Sequence, residues 1–159
     1  MKATFIFILT LANMGALAQW INNPTLNNAV CNYAGGQTNV QVVSDGAGGA
    51  KCTWEDTRNA GIRDIYAQRI NGNGSLQWNV EGIAICNAVS EQYFPRLVSD
   101  AAGGAIIVWY DNRSGNYDIY PQRINASGSV QWMVDGVAIC TATGNQNAHQ
   151  IITDGKLFY

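Results

Sequence analysis

Residues Ser44–Ala50 read SDGAGGA and residues Ser99–Ala105 read SDAAGGA, while Asp64–Asn71 read DIYAQRIN and Asp118–Asn125 read DIYPQRIN. Between the two phrases of each copy stands a tryptophan, Trp54 or Trp109, followed by Asp56 or Asp111. Working outward, the pair Gln19, Trp20 returns as Gln77, Trp78 and as Gln131, Trp132. Cys31, Cys86 and Cys140 each precede an aspartate, Asp45, Asp100 and Asp154, by 14 positions. The chain is therefore a repeat, and the stretch Trp78–Gln131 measures one unit at 54 residues. The first unit is longer, with 58 residues between its tryptophans; three of the extra residues fall between Trp20 and Cys31, where Asn and Pro dominate, and the fourth between Trp54 and Asp64. Self-similarity at this period marks units that bury their faces against one another, as in solenoids, propellers and tandem arrays.

The punctuation of the repeat is of the β type. Gly-rich and Asn-rich clusters at Gly46–Gly49, Asn71–Gly74, Gly103–Gly104 and Asn112–Gly115 bound runs of four to eight residues rich in Val, Ile, Tyr and Trp, which is the signature of strands joined by tight turns. No stretch after residue 18 keeps helical spacing for 11 residues without a Gly or Pro. About four strands of five or six residues fill one unit. The expected fold is all-β: tandem four-stranded antiparallel units, about two and a half of them, with segments 1–18, 19–77, 78–131 and 132–159 as leader, unit one, unit two and part of unit three.

Alternation assigns the two faces of the strand after the double glycine. Cys52 and Trp54 share one face with their counterparts Ile107 and Trp109; Lys51, Thr53 and Glu55 occupy the other, where unit two carries Ile106, Val108 and Tyr110. Unit two is apolar on both faces and unit one is polar on one. A sheet between two neighbours is apolar on both sides and a terminal one is polar on its free side, so unit one is expected at an end, with Lys51, Thr53 and Glu55 facing solvent. Pro121, where unit one has Ala67, belongs on an edge or at a bulge.

Met1, Lys2, the apolar run to Leu11 and the small residues up to Ala18 form a secretory leader, too short to span a bilayer. Cleavage near Ala18 predicts a secreted or cell-surface protein with no membrane span in its mature chain. Without Lys2 the balance is eight basic against 11 acidic residues with no run of either sign, which disfavours nucleic acid and anionic lipid as partners.

A four-stranded unit of this length, with SDGAGGA and a following Trp, then DIYAQRIN and a Gln-Trp pair, resembles the β-propeller-like repeats of large exported bacterial proteins. The resemblance covers residues 19–159 and implies blade-like units; an open stack is the alternative. It departs from the sialidase-type Asp box, because Ser44 and Asp45 are adjacent and Trp54 lies nine residues beyond the Asp, so that family's catalysis is not implied. Four units would take roughly 216 residues and propellers use about four to eight, so the chain reads as a fragment of a larger protein.

A catalytic group acts once, whereas a residue present in every copy serves the copy's own fold. Asp45, Asp100 and Asp154 are equivalents, as are Arg58 with Arg113, Asp64 with Asp118 and Arg69 with Arg123; they read as turn caps and Arg–carboxylate pairs. Four cysteines allow three disulfide connectivities; Cys31, Cys86 and Cys140 sit on apolar strands and read as small buried hydrophobes, while Cys52 has no counterpart, so a Cys31–Cys52 bridge is the alternative. His149 is the one histidine, which supports neither a triad nor a two-His metal site. No catalytic residue, metal ligand or cofactor is assigned. The non-repeating Tyr33, Tyr93, Phe94 and Arg96 in connections are the candidate ligand-binding residues, and a glycan or protein ligand at the cell surface is the expected partner. The reading favoured is a noncatalytic binding or adhesion module; the alternatives are the N-terminal part of an exported glycan-acting hydrolase with catalytic residues beyond residue 159, and an architectural spacer.

Overall fold

The computed structural model describes residues 27–153; the leader, Trp20 and Asp154 lie outside them. Among the described residues there are seven strands and no helix: β1 (Gln37–Ser44), β2 (Ala50–Asn59), β3 (Ile62–Ile70), β4 (Ile83–Cys86), β5 (Gln92–Ser99), β6 (Ala105–Asp111) and β7 (Asp118–Ile124). They form two antiparallel sheets, one of four strands in the order β1-β2-β3-β4 and one of three in the order β5-β6-β7, neither of them closed. The second sheet has a rudimentary fourth strand, since Ile119 bridges Cys140 and the Ile139 amide donates to the Ile119 carbonyl. Among the described residues no helix is long and apolar enough to cross a membrane.

The turns close by the means the phrases suggest. Asp45 accepts hydrogen bonds from the amides of Ala47 and Gly49 at 2.8 and 2.7 Å, and Asp100 accepts one from Ala102 at 3.0 Å. The same two aspartates take the guanidinium groups of Arg69 and Arg123 at 3.0 and 3.1 Å, so one side chain caps a turn and ties β3 or β7 to it. Gly49 and Gly104 are obligatory: a Cβ there would stand 2.2 and 2.0 Å from the carbonyl oxygens of Ile70 and Ile124. Pro121 lies in β7, the outer strand of the three-stranded sheet, where its missing N–H costs least.

The sheets pack face to face, with β5 lying across β1, β2 and β3. Ile107, Trp109, Leu97 and Ile124 of the second sheet meet Ile65, Ala67, Ile85 and Cys86 of the first in one buried cluster. Each large side chain removed from water contributes about 1.5–3 kcal/mol.

This packing overturns the expectation that the polar face of unit one is free. Lys51, Thr53 and Glu55 are fully buried and point into the junction between the sheets. The Lys51 ammonium donates to the Gly104 carbonyl at 2.6 Å and to Ser99 Oγ at 3.0 Å, and Thr53 Oγ1 donates to the Tyr66 carbonyl. Glu55 accepts from Thr38 Oγ1, Asn39 Nδ2 and the Phe94 amide. Polar groups can be buried where each finds partners; here the partners come from both units, with Ser99, Gly104 and Phe94 supplied by the second and Thr38, Asn39 and Tyr66 by the first. The opposite face is the open one: Val40, Val42, Ala50, Cys52, Trp54 and Ile70 line an apolar groove of about 340 Å³, and Val42 is 60% exposed.

Candidate functional site

β5 does not run straight. Its register against β6 shifts between Tyr93 and Arg96, and Phe94 has φ +51°. β1 has the same shift between Thr38 and Gln41, with Asn39 at φ +52°, and Ala148 repeats it at φ +58°. A bulge of this kind bends the strand and re-aims the side chain it carries. Asn tolerates the left-handed conformation readily, whereas Phe adopts it at a cost. Phe94 is thereby turned outward and is 51% exposed.

Around it stand four more rings. Phe94 meets Tyr93 at 6.1 Å and Tyr110 edge-on at 6.1 Å; Tyr117 lies 5.6 Å from Tyr93 and 6.0 Å from Tyr110, stacked on the latter. His149 sets its ring edge-on against Tyr110 at 4.3 Å. These separations and angles are those aromatic pairs prefer. The result is an aromatic shelf with Phe94 outermost and the three tyrosines half-buried.

The shelf is built from residues that the repeat does not share. Tyr93, Phe94, Tyr110 and Tyr117 stand where unit one has Thr38, Asn39, Glu55 and Arg63, and His149 stands where unit two has Pro95. At the equivalent place unit one makes a polar knot: Thr38 and Asn39 donate to Glu55, and Arg63 lies 3.5 Å from it. The backbone logic survives the exchange of chemistry. Glu55 accepts the Phe94 amide at 2.8 Å, and Tyr110 Oη accepts the His149 amide at 3.2 Å.

Charge borders the shelf on two sides. The Arg63 guanidinium lies 5.4 Å from the Tyr93 ring centre and is held by Glu91 at 3.3 Å as well as by Glu55. Arg96 is exposed and pairs across the sheet with Val108, which puts it on the same face as Tyr93 and Tyr110. It makes a long hydrogen bond, 3.4 Å, to Gln41 Oε1. His149 is buried with neither ring nitrogen hydrogen-bonded; the Phe94 carbonyl is near but not placed to accept. Burial chiefly, with the Arg96 charge adding to it, holds the imidazole below its ordinary pKa.

Of the four residues singled out by sequence, the structure brings Tyr93, Phe94 and Arg96 to one face and leaves Tyr33 elsewhere. Tyr33 lies over the Arg58 guanidinium at 4.5 Å, whose other ring contact is Tyr66 at 3.9 Å. Tyr110, Tyr117 and His149 were not among them. The signal that could have found them was the same non-recurrence, read along the unit-two strands as well as its connections.

The two buried thiols are not poised for chemistry. Burial pushes Cys52 up to about 11 and raises Cys86 well above the usual thiol range. All four cysteines are free. The alternative of a Cys31–Cys52 bridge is not formed: both thiols are free, although they line the same groove, and Arg58 Nη2 lies 3.3 Å from Cys31 Sγ. Among the described residues no group of three His, Cys, Asp or Glu side chains is arranged to hold a metal ion.

No protein-family model, curated protein or solved structure matches the chain.

Proposed function

We propose that the chain is a noncatalytic binding module of an exported protein, built of propeller-like β-repeats, that takes a glycan on the shelf of Tyr93, Phe94, Tyr110 and Tyr117. The observation that carries this reading is that the shelf is made of non-recurring residues on a recurring scaffold. A ring serving only the fold of its unit would be expected in both units, as Trp54 and Trp109 are. An exposed ring held out by a strained bulge is a cost without return unless something stacks on it. Sugar rings offer the apolar C–H face that suits such a shelf, and the export implied by residues 1–18 puts the module where polysaccharide is met. The propeller-like part of the reading is supported by consecutive units packing face to face, with Trp109 of the later sheet buried against the earlier one.

The shelf offers no acid and base for glycoside cleavage. That chemistry needs two carboxyl groups flanking the bond, and the nearby Glu55 and Glu91 are both paired with Arg63, Glu55 being buried as well. Binding is tested by titrating the chain with a panel of soluble polysaccharides. Phe94→Ala and Tyr93→Ala are expected to weaken the positive members about tenfold, the scale of one lost ring contact, with an unchanged thermal midpoint for the exposed Phe94. A panel without a single binder leaves the spacer reading in place of this one; turnover of any member argues for a hydrolase.

A further inference from the structure

The six arginines of the chain all lie among the described residues, and five are committed. Arg58 and Arg113 hold Asp56 and Asp111 at 2.6 Å, Arg69 and Arg123 hold Asp45 and Asp100, and Arg63 holds Glu91 and Glu55. Among the described residues Arg96 has no carboxylate partner. It is exposed, it sits two residues beyond Phe94, and it shares a face with Tyr93 and Tyr110. A guanidinium presents a planar fork of donors that fits a carboxylate with two parallel hydrogen bonds, and the 3.4 Å contact to Gln41 is easily given up. A second unanswered polar group stands beside it: His149, nine-tenths buried, on the Tyr110 ring, with both nitrogens unpartnered and close enough to Arg96 to feel its charge. Two cationic or potentially cationic groups next to each other, with no acid between them, leave a local site for negative charge. The two carboxylates at the far side, Glu55 and Glu91, share Arg63, which offsets one of their two charges.

We propose that the shelf selects an acidic saccharide, a uronic-acid chain whose sugar ring stacks on Phe94 while its carboxylate is clamped by Arg96. This rests on the glycan reading above and adds the charge class of the ligand. Arg96 supplies discrimination, the rings supply affinity common to acidic and neutral sugars, and His149 adds field at the carboxylate. Among the described residues the charged or titratable groups facing His149 are Arg96 from β5 and Tyr110 from β6, so a bound carboxylate would bring an anion to the imidazole.

The test pairs each acidic polymer with its own neutral counterpart: oligomers of galacturonan, glucuronan and mannuronan against the same oligomers after carboxyl reduction, titrated calorimetrically into the full chain. The expected result is that at least one acidic oligomer binds about tenfold more tightly than its reduced form, and that this margin shrinks as salt rises. Arg96→Gln should bring the margin below about twofold while leaving the reduced oligomer bound as before; Phe94→Ala should weaken both forms alike. Because His149 is the one histidine, its imidazole signals report directly, and the acidic oligomer should move their titration upward where the reduced one does not. Equal binding of acidic and reduced forms, or a margin that survives Arg96→Gln, overturns the charge selection and leaves glycan binding intact. Failure of every oligomer, acidic and neutral, overturns the charge selection, and the glycan reading falls with it only if the wider polysaccharide panel also yields no binder.

Discussion

Asp64 and Asp118 occupy the same place in successive units and live in different surroundings. Asp118 accepts hydrogen bonds from Ser114 Oγ at 2.6 Å and from Asn116 Nδ2 at 2.8 Å. Counting back from the aspartate, unit one puts Ala60 and Ile62 where those two donors stand. Asp64 is buried, and neither of its oxygens accepts a hydrogen bond; the Asn59 side chain is near but not in place. Burial therefore pushes its carboxyl up to about 6, with the negative charges of Asp56 and Asp135 acting in the same direction. An acid whose folded pKa lies above its unfolded one binds more protons in the native state, so stability falls as pH rises from about 4 through 6 and stays low above. Relative to Asp64→Asn, the natural chain is expected to lose about 2–3 kcal/mol between pH 4 and pH 7, the equivalent of that displacement. Urea unfolding of both proteins at several pH values checks this; parallel curves would show that Asp64 is answered by a group such as an ordered water.

At the scale of the element, one knot is tied twice. Trp54 Nε1 donates to Asp56, Arg58 clasps the same carboxylate, and Arg58 Nη2 goes on to the Glu81 carbonyl at 2.8 Å. Trp109, Asp111, Arg113 and the Asp135 carbonyl repeat it, with 2.7 Å for the last contact. The knot ties the β2–β3 hairpin, or its equivalent, to a turn that follows in sequence. That turn has Glu81 or Asp135 at positive φ and then a glycine resting on the indole. A Cβ on Gly136 would lie 2.6 Å from Trp109 Cη2 and 2.9 Å from the Pro121 carbonyl oxygen, at φ +90°. Gly136→Ala is thus expected to cost about 2–4 kcal/mol from overpacking and backbone strain combined, read as a lower denaturation midpoint. Gly115, which has open space around it, should respond to the same change through its backbone alone, by about 1 kcal/mol. The aspartates, arginines and turn glycines were legible in the sequence because their recurrence marked them as scaffold. Which carboxylate each arginine takes was not legible, because Asp56 and Asp111 recur beside Arg58 and Arg113 just as Asp45 and Asp100 recur with Arg69 and Arg123. That Arg58 and Arg113 also reach the next turn required the fold.

For the molecule as a whole, the open groove on the first sheet is the conspicuous apolar surface. In the second sheet the corresponding face, with Ile107 and Trp109, is covered by the first sheet; in the first sheet Val40 and Val42 stand exposed. Contiguous apolar surface of this kind makes a protein adhesive to dyes and to other chains. Val42→Lys is expected to reduce binding of a hydrophobic fluorescent dye by about half or more. Its unfolding free energy should shift by no more than about 0.5 kcal/mol, as for other exposed substitutions. Undiminished dye binding would place the adhesive surface elsewhere, for instance near Trp132 and Ile139.

The strands, their turns and their two-faced alternation were set by local chemistry: glycines where only glycine fits, aspartates that close their own turns, and β-branched and aromatic runs between them. These act over a few residues, so the repeat displayed them twice, and Pro121 could be assigned to an edge or a bulge before its neighbours were known. Alternation says which side chains share a face but not what that face meets. For that reason Lys51, Thr53 and Glu55 read as solvent-facing, whereas Ser99, Gly104 and Phe94, about 40 to 50 residues further along, supply the partners that bury them. The shelf divides in the same way. Tyr93, Phe94 and Arg96 could be picked out because they fail to recur, but their meeting with Tyr110, Tyr117 and His149, and the separate fate of Tyr33, depended on the β5 bulge and on sheet packing. Only tertiary structure brings those distant segments within reach, so only it could decide which faces are covered and which rings stand together.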